Sequence, residues 1–527
     1  MSGESLESEA MSERITTDYE TALQHDDLAL HVERIEAALQ RQDFDRAVEL
    51  IESDLAATWF GLQPSRTAEI IQLLLHHAST DSRVLQVARG FFREDHAGGL
   101  DTPEFLSSFD FDDPREVYLL TMLRMGSARL QGRTHDALEQ CDLFEHQLGK
   151  MQPLLDSYDS WVLHATVQMG ITAMLAGQFT RALTNFTRAQ LHVQVPKFRF
   201  LTRDALAKSA LIHACFGNRT TARSLIQRAD KITRTSSWAE THIDAHRDFA
   251  EVLVTTDDYD EALEKLEAIN LHDIGEMWPF YILAVHRVLE AGGHQDELEH
   301  QMQMFDSMPF PRQDRDGFAG SIIPLKCAAL ALKNGRGVEA QAFIDRADPQ
   351  LSYTQLFQAA AHVYAGRTQQ AIQEVSRLRA GTRGFRLMEV RRLAILAAAQ
   401  YQAHEDDDCV ATLRRAAEIP RGLGPLEAQL FSPETRELAT QKVASWPRDN
   451  NAPSVFLTGL PKPGSALTER EVEIIEHLAK GHPRAHMAEK MYISVNTLKT
   501  HLKAIYRKLG VSSAKDAVLG AQRRGLL

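Results

Sequence analysis

Paired cysteine is missing from this sequence. Cys141, Cys215, Cys327 and Cys409 stand singly and far apart, which excludes a disulfide framework and a thiolate zinc site and leaves four small hydrophobes suited to a reducing compartment. No apolar run approaches the ~18 residues that cross a bilayer. The opening MSGESLESEAMSERITTD is polar and acidic where a signal peptide would begin basic and turn apolar. A soluble, cytoplasmic protein without a membrane partner is expected, with residues 1–19 disordered. Alternating apolar and polar runs are also absent, which removes strand-based receiver domains. The phosphate-loop pattern G-x-x-x-x-G-K-[ST] is missing too: its nearest approach, Gly126 to Thr134, has one residue too many and Arg133 in place of Lys. Neither H-E-x-x-H nor G-x-S-x-G occurs, and the 22 histidines scatter without ligand spacing. No enzymatic activity, cofactor or metal is therefore expected.

What is present begins with length and charge. The 527 residues exceed what one hydrophobic core organises, so two to four domains are expected. The net charge of −14 argues at first against nucleic acid, but it is unevenly spread. Residues 458–527 hold 12 Lys/Arg and 6 Asp/Glu, a tail of +6 on a body of −20. An acidic body should repel DNA and leave any such contact to the tail.

From about residue 20 to 445 the chain reads as helix, rich in Ala, Leu, Gln, Glu and Arg with apolar residues at i, i+3, i+4 and i+7. A turn residue, often Gly, recurs with Ala five positions later: Gly132/Ala137, Gly177/Ala182, Gly217/Ala222, Gly335/Ala340 and Gly366/Ala371. Gln42/Ala47, Asp257/Ala262 and Asp406/Ala411 keep the Ala and replace the Gly, and Gly293/Leu298 is a degenerate copy. Gly reverses the chain and Ala lets the second helix approach closely. From residue 182 onward the anchors are 31 to 42 residues apart. The clusters Trp161/His164/Gln168, Lys197/Arg199/Arg203, His242/His246 and Trp278/Tyr281 read as helix packing or solvated faces, and no ligand is assigned to them. The acidic run Glu405 to Asp408 reads as a solvated repeat turn.

Residues 446–465 hold four of the chain's 18 prolines and read as an extended tether. Residues 466–527 then parse into four helices. Thr468 with Glu471 forms a capping box, Gly481 ends the first helix, and the second occupies about 483–491. Ser494 caps a third helix that runs to Gly510, and Ser513 with Asp516 opens the fourth. On the third helix Leu498, Leu502, Ile505 and Leu509 share one side, and Asn496, Lys499, Thr500, Lys503 and Arg507 the other. A short helix, a tight turn and such a second helix enter the DNA major groove, where Lys and Arg meet guanine and Asn meets adenine.

These residues carry a resemblance. Leu467-Thr468-x-Arg470-Glu471-x-Glu473, Leu478-Ala479-x-Gly481, Ile493-Ser494-x-x-Thr497-x-Lys499-x-His501-Leu502, the run Ile505 to Val511 and the final Gly525-Leu526-Leu527 are similar to the LuxR/GerE-type helix-turn-helix. The repeats resemble tetratricopeptide repeats in the loose form found in large ATP-binding regulators of that type, here without the ATPase. The expected fold is all-α: a tetratricopeptide-like α-solenoid followed by a four-helix LuxR-type domain. The resemblance implies base contacts from Lys499, Thr500 and Lys503, phosphate neighbours in Thr497, Arg507 and Lys508, and dimerisation through a last helix at Ala514 to Arg524. Asn496 joins this set from its place on the polar face. The sequence departs from the family at Pro483, Ala485 and His486, which lose a cap and one phosphate contact. The function expected is a bacterial DNA-binding regulator, dimeric on its operator, with an unidentified peptide, protein or small-molecule effector on the helical body. An interaction adaptor with a drifted helix-turn-helix is the alternative.

Overall fold

The computed structural model describes residues 27–79, 82, 84–85, 109–155, 160–192, 195–256, 258–334, 336–447, 467–509, 511, 513–523 and 526–527. The disordered segment expected at 1–19 lies outside these residues, as do Asp257, Gly335, Gly510 and the tether beyond Pro447. Among the described residues there are helices and turns and no strand, so the fold is all-α.

The helices pair as short hairpins, for example Ser160–Leu175 with Phe179–Leu191 and Ser352–Ala365 with Thr368–Arg377. At Gly366 the backbone is left-handed, with φ of 77°, and the next amide, of Arg367, returns to the His362 carbonyl at 2.8 Å. This closes the first helix and reverses the chain. The same device recurs at Gly132, Gly177 and Gly293 and, without glycine, at Gln42. Five residues further on, Ala47, Ala137, Ala182, Leu298 and Ala371 have no exposed surface. Close approach is tight at Gly170, where a Cβ would lie 2.5 Å from the ring of the fully buried Phe186.

One copy sits in a different register. The left-handed residue is His404, with φ of 60°, and the Glu405 amide returns to the Gln400 carbonyl at 3.0 Å. The buried anchor is therefore Cys409, and Ala411 faces solvent. The chain reversal, not the identity of the small residue, sets the register. The acidic run lies at the start of Asp406–Ala417 with its three aspartates exposed, where carboxylates complement the helix dipole.

By proximity the chain divides into two compact units. The first runs to Ile212 and includes Thr220–Glu251 and Lys265–Trp278. Within it the polar clusters stitch helices together. Arg203 pairs with Glu240 and Asp244, Lys197 with Asp54, and Arg199 donates to the Thr233 and Arg234 carbonyls. His164 bonds the Tyr118 hydroxyl, Gln168 accepts from Arg129, and His242 meets the Asp273 carbonyl. The second unit comprises His213–Arg219, Val252–Glu264 and Pro279–Leu527. In it Trp446 packs edge-on against Phe431 at 5.0 Å, so the body continues one residue into the expected tether. All four cysteines are free and buried, and burial pushes the Cys215 thiol up to about 12.

His246, 6 % exposed, makes the first unit sensitive to acid. Its Nε2–H donates to the Ile274 carbonyl (3.2 Å), which leaves Nδ1 to accept from the Lys208 ammonium (3.1 Å). A second proton on the ring would face that ammonium. Burial first, then Lys208, lower its pKa to about 4, with Asp204 opposing. The unfolded chain therefore binds a proton near pH 6.5 that the native state refuses until about 4. Stability should fall as pH drops through this window, with roughly 3 kcal/mol of the loss due to His246. Urea titrations across pH 7 to 4 read the slope, and His246→Gln should reduce it, the remainder coming from His164, which burial and then Arg129 lower to about 4.

Candidate nucleic-acid interface

Four helices build the C-terminal domain: α1 (Glu469–Ala479), α2 (Arg484–Lys490), α3 (Val495–Leu509) and α4 (Ala514–Arg523). Their starts are encoded locally. The Thr468 hydroxyl accepts from the Glu471 amide while the Glu471 carboxylate accepts from the Thr468 amide, closing the capping box of α1. Ser494 accepts from the Thr497 amide at 3.0 Å and so opens α3, and Ser513 accepts from the Asp516 amide at 3.1 Å and opens α4. At the start of α2, Pro483 is the residue preceding the helix, and no side chain caps the helix. Its extended ψ of 144° takes it out of helical geometry.

The core gathers Ile474 and Ile475 from α1, Met487 and Ala488 from α2, Leu498, Leu502 and Ile505 from α3 and Ala517 and Ala521 from α4. Ala365, the last residue of Ser352–Ala365, packs into the same cluster. Arg470 donates to the Met491 carbonyl, tying α1 to the turn before α3. With Leu498, Leu502 and Ile505 turned inward, the opposite face of α3 must face solvent.

On that face Asn496, Thr497, Lys499, Thr500, Lys503 and Arg507 are all exposed. Two hydroxyls are already engaged: Thr500 donates to the Asn496 carbonyl (3.1 Å), and Thr497 meets the Ser494 hydroxyl (2.8 Å). Lys508 sits elsewhere. Its ammonium lies 2.7 Å from the Glu471 carboxylate, with side chains 18 % and 5 % exposed. Lys508→Ala should therefore destabilise the domain by about 1–3 kcal/mol. Hydrogen exchange at the α1 and α3 amides should accelerate; unaltered protection together with lost DNA affinity would assign it a direct contact instead.

Sequence reasoning passed over Tyr492. It is 95 % exposed in the turn leading into α3 and holds a left-handed φ of 53°, so an aromatic ring stands in solvent beside the basic face. Only its position next to the Ile493-Ser494 cap could have marked it.

An uncapped short helix, a tight turn and a second helix with an amine-rich exposed face define a helix-turn-helix domain. Residues 465–521 match the family described as bacterial regulatory proteins, luxR family, and this segment is a GerE/LuxR-type helix-turn-helix. The transcriptional regulatory protein LnrK of Bacillus subtilis is 32 % identical over 90 residues, 17 % of this chain and 41 % of LnrK. The HTH-type transcriptional regulator MalT of Yersinia enterocolitica is 37 % identical over 59 residues, 11 % of this chain and 6 % of MalT. The probable transcriptional regulatory protein NarL of Mycobacterium tuberculosis is 39 % identical over 61 residues, 12 % of this chain and 28 % of NarL. The chain thus spans less than half the length of each of these relatives. Among the described residues no helix is long and apolar enough to cross a membrane.

Proposed function

We propose that the protein is a sequence-specific transcription regulator in three parts: a helical body to residue 445, a tether at 446–465 and a DNA reader at 466–527. The exposed face of α3, with Asn496, Lys499, Lys503 and Arg507 opposite a buried Leu/Ile face, carries this reading. In it α3 lies in the major groove, with Lys499, Thr500 and Lys503 at base edges and Arg507 at phosphate. Two domains pair through α4 on a two-fold operator. An effector bound to the body shifts the equilibrium between arrangements that present the pair to DNA and those that do not. The names of the matched regulators support the DNA-binding part of the reading.

Genome-wide mapping of bound DNA with the full chain and with a variant lacking residues 458–527 tests it. Discrete sites that vanish in the deletion are expected. The same sites in both would transfer recognition to the body and sink the proposal. Binding that weakens by about one log unit per log salt for each phosphate neutralised separates a DNA reader from a protein adaptor.

A further inference from the structure

Four helices, Trp278–Ala291, Gly317–Lys333, Ser352–Ala365 and Arg386–Gln402, bring residues of the second unit together around a cavity of about 100 Å³. At roughly 10–15 Å³ per water-sized position this has room for about seven to ten non-hydrogen atoms. Its wall is apolar along Leu356, Phe357, Ile395 and Leu430. The rest of the wall collects cations.

Lys326 is 2 % exposed, and its ammonium reaches only the Tyr353 hydroxyl (3.0 Å), with the Tyr353 and Phe357 rings 5.7 and 5.9 Å away. Among the described residues no carboxylate pairs with Lys326 or with Arg391, which lines the same space. Lys333 adds a third positive charge, and Glu290 is the one acid in the wall. His286, 3 % exposed, has no hydrogen-bond partner on either ring nitrogen, and the Glu290 carboxylate stays 3.8 Å away. The charges strain one another. Burial, then Lys326 and Arg391, hold the His286 imidazole well below its usual range. Burial also lowers the Lys326 ammonium, with Tyr353 opposing and Arg391 adding to the shift. Buried charge without a counterion is costly, and an anion entering the cavity would offset that cost.

We propose that this cavity binds a compact organic carboxylate with an apolar body, the carboxylate at Lys326, Arg391 and His286 and the body against Phe357 and Leu430. Lys and Arg give a carboxylate charge-assisted hydrogen bonds, and an otherwise apolar wall selects against a fully hydrated ion such as phosphate. The Ser352–Ala365 helix connects the site to the DNA reader, since it supplies Tyr353 and Phe357 and ends at Ala365 in that domain's core. In naming the ligand an effector the inference rests on the regulator reading; the binding site itself does not.

The test is thermal unfolding and calorimetric titration of the full chain with benzoate, benzamide and inorganic phosphate. Benzoate should raise Tm saturably, with benzamide and phosphate at least tenfold weaker. Lys326→Met should fold at least as well as wild type without ligand and lose benzoate binding tenfold or more. Arg391→Gln, at a half-buried position, provides the same reading without touching the deepest charge. Equal binding of benzoate and benzamide, stronger binding of phosphate, or undiminished binding in both variants overturns the site. Benzoate binding that leaves operator affinity unchanged upholds the site and overturns its role as effector.

Discussion

Replacing Lys499 and Lys503 together with Ala should lower affinity for the operator by roughly thirty- to twenty-thousand-fold while barely changing affinity for random DNA. A good base-edge contact discriminates by ~1–3 kcal/mol, and each 1.4 kcal/mol is about tenfold. The two residues stand four apart on α3, so they share one face and enter the groove together. Both are exposed, whereas Leu498 and Leu502 beside them are buried. Truncation therefore leaves the core untouched, and unfolding should move by no more than ~0.5 kcal/mol. Arg507→Ala should behave differently. As a phosphate neighbour it should weaken specific and random DNA alike and reduce the salt slope by about one. Quantitative footprinting at two salt concentrations reads both variants. An unchanged footprint in the double variant would remove α3 from the groove.

The largest effect on stability should come from Glu240→Ala, about 3–5 kcal/mol on unfolding of the first unit. Arg203 and Glu240 are 7 % and 2 % exposed in their side chains, with the guanidinium 2.6 Å from the carboxylate. Glu240 also accepts from the Thr235 amide at 2.7 Å and the Thr235 hydroxyl at 3.1 Å. Removing the carboxylate leaves a buried guanidinium with half its compensation and two donors without acceptors. Asp244 remains as a partner for Arg203, which favours the lower end of the range. Replacing both members, as Arg203→Met with Glu240→Leu, should recover most of the loss, because the cost lies in the uncompensated charge. Denaturant titrations of the single and double variants check this. A double variant as unstable as the single would assign the loss to packing.

The helix-turn-helix was legible because its signals are local. Capping boxes, a Gly stop and the apolar stripe of α3 each occupy a few consecutive residues, and the structure puts hydrogen bonds on Thr468, Ser494 and Ser513 where those residues stand. The repeat anchors were legible for the same reason, since chain reversal and close approach lie five residues apart. Reading failed where identity stood in for geometry. Ala411 matched the anchor by residue type, yet the left-handed turn is at His404 and buries Cys409.

The sequence by itself determined the helices, their turns, the basic tail and the face that the third C-terminal helix shows to solvent, because each follows from periodicity and capping within one or two turns. Tertiary structure alone decided which charges meet. His286, Lys326, Tyr353 and Arg391 come from four separate helices, and nothing in any one helix marks its cation as unpaired. Whether a buried charge has a counterion depends on distances between elements, and the linear order of residues does not contain those distances.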